Sequence, residues 1–298
     1  MNQEVLFYIN PNSGRQKIKG HVLNMLGEFS RRGYRNVVYV TSPDLAENNR
    51  FLRDADGEYE EIVCCGGDGT FSTVLSGIMD WEKKPVLGYI PTGSTNDFAS
   101  GLGIPQDIEQ AVQSILDGTP HVFDAGEIEG RYFSYVASFG AFTETSYSTP
   151  QDIKNVMGHS AYLIGALKDF ALNDVYHIKA EADGRTYEDD YVFGAVMNAK
   201  SVGGVLKFDD AQVDLTDGLL EVMLVKQPRS LADLTAILNA VNFRDFTTPR
   251  ISFFKTSTLK ITSDRDLTWS VDGERLDTGK EPAVKCVHNA FSILLKDL

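Results

Sequence analysis

Between residues 5 and 116 the chain repeats one pattern. A short apolar run of strand type enters a loop rich in glycine or asparagine, and apolar residues at helical spacing follow. Residues 5–9 lead to 16–32, residues 36–40 to 43–53, residues 60–65 to 69–79, and residues 86–90 to 95–102 and 107–116. Strands joined through helices are carried back to the same end each time, so they pair in parallel, with helices covering both faces of the sheet. In sheets of this kind ligands bind in the loops leaving the carboxyl ends of the strands. Those loops hold the unusual residues of this chain.

After Phe123 the pattern changes to alternation of strand type, at residues 132–136, 175–182, 191–198, 219–225, 259–262, 267–271 and 283–287, interrupted by helical spacing at 155–172 and 231–241. Asp-Gly pairs recur at Asp183, Asp217 and Asp272 as turn signals. This predicts an antiparallel β-sandwich or barrel-like second domain. The expected division is an α/β domain over residues 1–124 and a β-rich domain over 125–287. The apolar run 291–295 can return to either domain, and residues 288–298 are candidates to pack back on the first.

A chain of 298 residues is long enough for two such domains. Its net charge of −14 argues against a nucleic-acid binder, which needs a basic face for phosphates, and against adsorption to an anionic membrane by global charge, leaving contact through a local patch open. Cys64, Cys65 and Cys286 have neither disulfide nor metal spacing and read as reduced core residues. The sequence predicts no signal peptide and no membrane span, hence a cytoplasmic protein.

Three strand-to-helix loops share a chemistry. "INPNSGR" offers Asn10, Ser13 and Gly14; "GGDGT" spans Gly66, Gly67, Asp68, Gly69 and Thr70; "IPTGSTNDFA" offers Ser94, Thr95, Asn96 and Asp97. Glycine lets backbone N–H groups approach an anion, and the helix that follows adds further N–H groups and the positive end of its dipole. Asp68 and Asp97 would repel a bare phosphate, so they imply either a Mg²⁺ between carboxylate and phosphate or a grip on ribose or loop donors. Each loop alone reads equally as a turn and helix cap. Three at successive strand ends point to a magnesium nucleotide. No Gly-x4-Gly-Lys-Ser/Thr loop, Gly-x-Gly-x-x-Gly or Gly-x-Ser-x-Gly is present, which removes P-loop, Rossmann dehydrogenase and acyl-hydrolase readings.

In this order and at these separations, "NPNSG", "GGDGT" and "PTGSTNDFA" resemble the diacylglycerol kinase catalytic family, in its soluble bacterial lipid-kinase branch. "VFDAGEIEGRYFSYVASFGAF", "GHSAYLIGALKDF", "VDLTDGLLEV" and "SVDGERL" extend the resemblance over essentially the whole chain. It implies an NAD kinase/diacylglycerol kinase-like fold, ATP and Mg²⁺ as cofactors, and transfer of the γ-phosphate to a lipid hydroxyl, diacylglycerol-like, in the cleft between the domains. ATP contacts would come from Asn10, Ser13, Gly14, Thr41, Gly66, Gly67, Asp68, Gly69, Thr70, Phe71, Ser72, Thr95 and Asn96. Glu274 matches the catalytic base, with Asp68 and Asp97 beside it in catalysis. Asp68, Asp97 and Asp124 would form an acidic network round catalytic Mg²⁺. A structural Mg²⁺ would sit on the Asp217 carboxylate and the carbonyls of Asp214 and Leu219. On local sequence alone Glu274 reads as a solvated turn residue and Asp217-Gly218 as a hairpin turn.

Phe139, Phe142, Tyr162, Leu163, Leu167 and Phe170 are candidates for a lipid lining and equally for ordinary core. Arg15, Lys17, Lys19, Arg31 and Arg32 are candidates for membrane contact and equally for a solvated helix face. The expected partner is a lipid alcohol at a membrane surface, met weakly and transiently; a homodimer stays open. Two rivals remain: an NAD kinase-like enzyme, which shares the Gly-Gly-Asp-Gly-Thr loop, and a non-catalytic nucleotide-binding regulator. No Asn-Glu dipeptide follows the third loop as in NAD kinases, and the intact Asp68, Asp97 and Glu274 speak against a regulator.

Overall fold

The computed structural model describes residues 3–140, 175–202, 206–208 and 212–296. The chain divides into two compact units, Met1–Ala125 with His288–Leu298, and Gly126–Val287.

The first unit holds four parallel strands, β1 (Glu4–Ile9), β2 (Arg35–Val40), β3 (Glu61–Gly66) and β4 (Val86–Pro91), in the order β2-β1-β3-β4. β3 is buried along its whole length, as its continuous apolar run requires of a central parallel strand. Helices α1 (Val22–Arg31) and α5 (Ile108–Leu116) set Met25 and Phe29, and Ile108, Ala111, Val112 and Ile115, against Val5, Phe7, Ile9, Val63, Cys65 and Ile90. α2 (Leu45–Asp54), α3 (Asp68–Ile78) and the short α4 (Asp97–Gly101) complete the connections. The single helix expected over 16–32 is two: a 3-10 helix Ser13–Gly20, then α1. Gly20 has low helix propensity, and the His21 N–H closes a tight bond to the Ile18 carbonyl between them.

The second unit is antiparallel. β9 (Arg185–Met197) pairs along its first half with β8 (Tyr176–Ala182) and along its second with β7 (Val136–Gly140) and β12 (Leu220–Lys226). β15 (Leu267–Val271) joins β7 to β16 (Glu274–Thr278), and β14 (Thr258–Ser263) lies beside β8. Phe139, Trp269, Tyr191, Val222, Leu224 and Ile261 form its core. Asp183-Gly184 and Asp272-Gly273 make two-residue turns with φ of 49° and 75°, and 46° and 90°, the left-handed pair that matches strand twist in tight hairpins.

Several boundaries differ from the sequence reading: β5 (Thr119–Ile128), the short β10 (Ser201–Val202) and β11 (Leu206–Lys207), and the first half of β9 are strands beyond those expected. The strand expected at 132–136 is β6 (Arg131–Phe133) and β7, split by a bend at Ser134 and Tyr135. β13 (Ile251–Thr256), which pairs with β12, was not anticipated because its middle four residues are all half-buried and show no alternation. The runs 283–287 and 291–295 are one strand, β17 (Ala283–Leu295); Asn289 takes φ 53° without ending it. Lys285 and its neighbours pair with β14, while Ser292 and Ile293 pair with β4.

Candidate functional site

Register places the loops. Ile9 is level with Val40 and with Cys65, and Cys65 and Gly66 are level with Ile90 and Pro91, so four strands end together. The N–H groups of Asn10, Thr41 and Thr92 each bond the neighbouring strand one residue further, to Cys65, Ile9 and Gly66. The loops bearing Asn10–Gly14, Thr41, Gly66–Ser72 and Thr95–Asn96 therefore share one sheet edge. They also touch. A Cβ on Gly14, whose φ is +51°, would lie 1.6 Å from the Thr92 carbonyl oxygen; one on Gly93 would lie 2.7 Å from the Gly67 Cα. No residue with a side chain fits at either contact.

Side chains lock the same edge. Asn10 Nδ2 donates to Thr70 Oγ1 at 3.0 Å, and Asn10 Oδ1 accepts from the Asn12 N–H. α3 starts from the N-cap Gly67 with no side-chain cap; the Thr70 and Phe71 N–H groups turn back on the Gly67 carbonyl, and the helix N-terminus carries the positive end of its dipole. Asn96 is buried with φ 51° and donates to the Gly93 carbonyl and to Gln106. Among the described residues the buried oxygens Thr92 Oγ1 and Asn96 Oδ1 have no hydrogen-bond partner. A cradle of closely approaching glycine backbones at a helix N-terminus, with unmatched polar atoms, fits a polyphosphate. Ser13 is half-buried and Thr95 exposed at this edge, whereas Phe71 and Ser72 are buried, Phe71 among Tyr89, Phe98 and Phe291. Phe71 is fully buried and its N–H bonds the Gly67 carbonyl, so neither its ring nor its amide is open to a ligand.

The carboxylates are arranged differently from the expected network. Asp68 Oδ2 and Oδ1 accept from the N–H groups of Asp97 and Phe98 at 3.0 and 3.2 Å. Burial raises the Asp68 pKa, and these amides offset part of that rise. The residue thus caps α4 from the first turn of α3. Asp124, fully buried, accepts from His288 Nδ1 and the Asn289 N–H, both at 2.8 Å. Asp68, Asp97 and Asp124 are not gathered into one cluster: among the described residues no three His, Cys, Asp or Glu side chains could hold a metal together. Asp68 and Asp124 use their oxygens on backbone and imidazole donors instead.

In the second unit, Glu274 opens β16 directly after the Asp272-Gly273 turn; its side chain is 53 % exposed and lies 3.8 Å from Arg131 Nη2. Arg131 Nη1 also donates to the Arg275 carbonyl. Asp272 is buried, and its carboxylate accepts from Ser134 N and Oγ, Tyr135 N and Val136 N at 2.7 to 3.1 Å. Burial pushes its pKa up to about 6 against these donors. Neither Arg131 nor the Ser134–Asp272 contact was legible beforehand; the buried Asp before a turn glycine was the available signal.

The loop expected to hold structural Mg²⁺ carries its own cation. Asp217 Oδ1 accepts from the Leu219 N–H at 3.0 Å, and Oδ2 pairs with Lys255 Nζ at 2.8 Å. Lys255 also lies 3.3 Å from Glu221, its cross-strand partner, whose side chain is fully buried and whose pKa burial pushes up to about 7. Asp214 Oδ1 takes the N–H and hydroxyl of Thr216, which hold its pKa below the usual range. With an ammonium already on Asp217, this donor set does not fit a divalent ion. Of the lipid-lining candidates, Phe139 is core beside Trp269; Phe142, Tyr162, Leu163, Leu167 and Phe170 lie outside the described residues. Among the described residues no helix is long and apolar enough to cross a membrane.

Residues 4–128 match the family model described as diacylglycerol kinase catalytic domain, and residues 138–295 match that of the YegS C-terminal NAD kinase beta sandwich-like domain. A diacylglycerol kinase of Bacillus subtilis is 29 % identical over 266 residues, covering 89 % of this chain and 88 % of the relative. One from Staphylococcus epidermidis is 30 % identical over 285 residues, covering 95 % of this chain and 89 % of the relative. A crystal structure of a diacylglycerol kinase from Bacillus anthracis superposes with a TM-score of 0.78 at 20 % identity, over 99 % of this chain and 97 % of that one, which speaks for the fold.

Proposed function

The chain belongs to the diacylglycerol kinase family and is a lipid kinase, and from that premise we propose that it moves the γ-phosphate of ATP to the hydroxyl of a diacylglycerol-like lipid. The observation that supports ATP as donor is the mutual approach of Gly14, Gly67 and Gly93 with their neighbouring backbones at one sheet edge, beside the uncapped start of α3. Amides at such an edge suit the triphosphate, with Asn10, Ser13, Thr70 and Thr95 as further donors. Mg²⁺ arriving with ATP supplies charge neutralisation on the phosphate oxygens.

Transfer then needs positioning more than covalent chemistry. Glu274 accepts the proton of the lipid hydroxyl as that oxygen attacks phosphorus in line and the bond to the ADP oxygen breaks. A carboxylate is a competent base because it loses nothing by staying charged until the proton moves. Arg131 Nη2 lies 3.8 Å from it. The acceptor is reached at a bilayer surface by weak, transient, peripheral contact from the cytoplasmic side.

The test is to incubate purified protein with Mg²⁺ and γ-labelled ATP, offering diacylglycerol, ceramide, phosphatidylglycerol and NAD separately. Label in diacylglycerol is the expected result. Label in NAD alone, or no saturable heat of ATP binding to folded protein, overturns the proposal.

A further inference from the structure

We propose that Asp272 is a positioning residue for this transfer: its buried carboxylate clamps residues 134–136 and so fixes the turn from which Glu274 leaves. The inference rests on the reading of Glu274 as base.

The turn by itself does not call for a carboxylate. A two-residue hairpin with both φ values positive is made equally well by Asn-Gly or Gly-Gly. Yet Asp272 is 3 % exposed, and burying a carboxylate is costly unless donors meet it. Four do, and all come from one run of three residues: Ser134 N and Oγ on Oδ2, Tyr135 N and Val136 N on Oδ1. The Asp272 N–H returns a fifth bond to the Val136 carbonyl at 2.8 Å. That run is the bend between β6 and β7, and β7 is also the ladder partner of β15. The carboxylate therefore ties the turn to the adjoining strand at the place where the ladder ends.

Glu274 needs such a mount because, among the described residues, no hydrogen bond holds its side chain. It is half exposed, and Arg131 at 3.8 Å is beyond hydrogen-bond length. Its place is inherited from the backbone two residues earlier. Misplacing a reacting group by about 1 Å costs on the order of 100-fold in rate.

The experiment compares the full chain with Asp272→Asn, Glu274→Gln and the double variant, using Mg·ATP and diacylglycerol in mixed micelles. In Asp272→Asn the amide oxygen still accepts from one pair of donors, while the new NH₂ faces the other pair. Its kcat should fall about 10- to 100-fold with KM for ATP within about two-fold of wild type. The double variant should be no slower than Glu274→Gln alone, since Asp272 acts only through Glu274. A role in folding alone would slow the double variant by the same factor as the single one. That result overturns the proposal, as does an unchanged kcat in Asp272→Asn. If Glu274→Gln turns over like wild type, the base assignment itself falls; if it is slow while Asp272→Asn is normal, only the present inference falls. Should Asp272→Asn not fold, Ser134→Ala removes one donor and reports the same way. It should give a drop of about 2- to 5-fold in kcat that vanishes on top of Glu274→Gln.

Discussion

The loop edge of the first unit and the Glu274 turn of the second reach their shapes by opposite means. At the loop edge side chains are removed: Gly14, Gly67 and Gly93 let backbone meet backbone, and the groups offered are amides. At the turn a side chain is added, a buried carboxylate that collects four donors to hold one exposed glutamate's root in place. The first arrangement can be degraded by adding a single methyl group; the second is degraded by removing a single charge. Shape in one case and hydrogen-bond satisfaction in the other set what each region tolerates.

The largest expected effect tests the shape argument. Gly14→Ala puts a methyl 1.6 Å from a carbonyl oxygen at a backbone angle that L-residues avoid. It should cost about 3 kcal/mol or more of stability, or abolish ATP binding, as read by thermal melting and calorimetry. Normal binding with a normal melt would show that the loops do not pack as described.

Next come two buried carboxylates, one in each unit. Glu61 is 4 % exposed, bonded by Tyr34, and burial pushes its pKa from 4.5 to about 7. The folded state therefore holds its proton more tightly than the unfolded chain does. Stability falls as pH rises from about 4.5 to 7 and levels off above. Glu61→Gln should accordingly stabilise the protein by roughly 3 kcal/mol at pH 8 and leave it unchanged near pH 4, read by melting at both values. An equal gain at both pH values would remove the titration as its cause.

Glu221 has Lys255 as a neighbour where Glu61 has a phenol. Lys255→Met should lower stability by about 1 kcal/mol, since the ammonium is partly solvated. Chelating divalent ions from nucleotide-free wild-type protein should not move its melting temperature. A chelator-induced drop that Asp217→Asn abolishes would restore the metal to that loop. Lys83→Ala, which breaks a fully exposed pair with Glu60, should likewise leave the melting temperature unchanged.

The contrast also explains what the sequence disclosed. The glycine-rich loops were legible because their logic is local: strand, glycines and helix are adjacent in the chain. The parallel first half followed for the same reason. What was hidden is non-local. Ser134 and Asp272 are 138 positions apart, and Lys255 meets Asp217 only once β12 and β13 have paired. Asp68 was recognisable as a special residue, but its part in capping α4 depends on two loops lying side by side. The first half of β9 carries Glu188, Asp189 and Asp190 on an open strand, which masked it from any pattern of hydrophobicity.

The level finish of β1 to β4 has a consequence for chain length. Dropping one residue from the middle of β3 would draw the Gly66–Thr70 turn back by about 3.3 Å and swap which faces its remaining side chains meet. The turn would then no longer stand opposite Gly14 or Gly93, although every glycine in it was intact. Strand length is thus as strict a requirement here as residue identity. Insertions and deletions are better tolerated at the opposite ends of the strands, in connections such as residues 55–60 and 81–85, which the exposed Lys83–Glu60 pair links but which carry no loop of the candidate site.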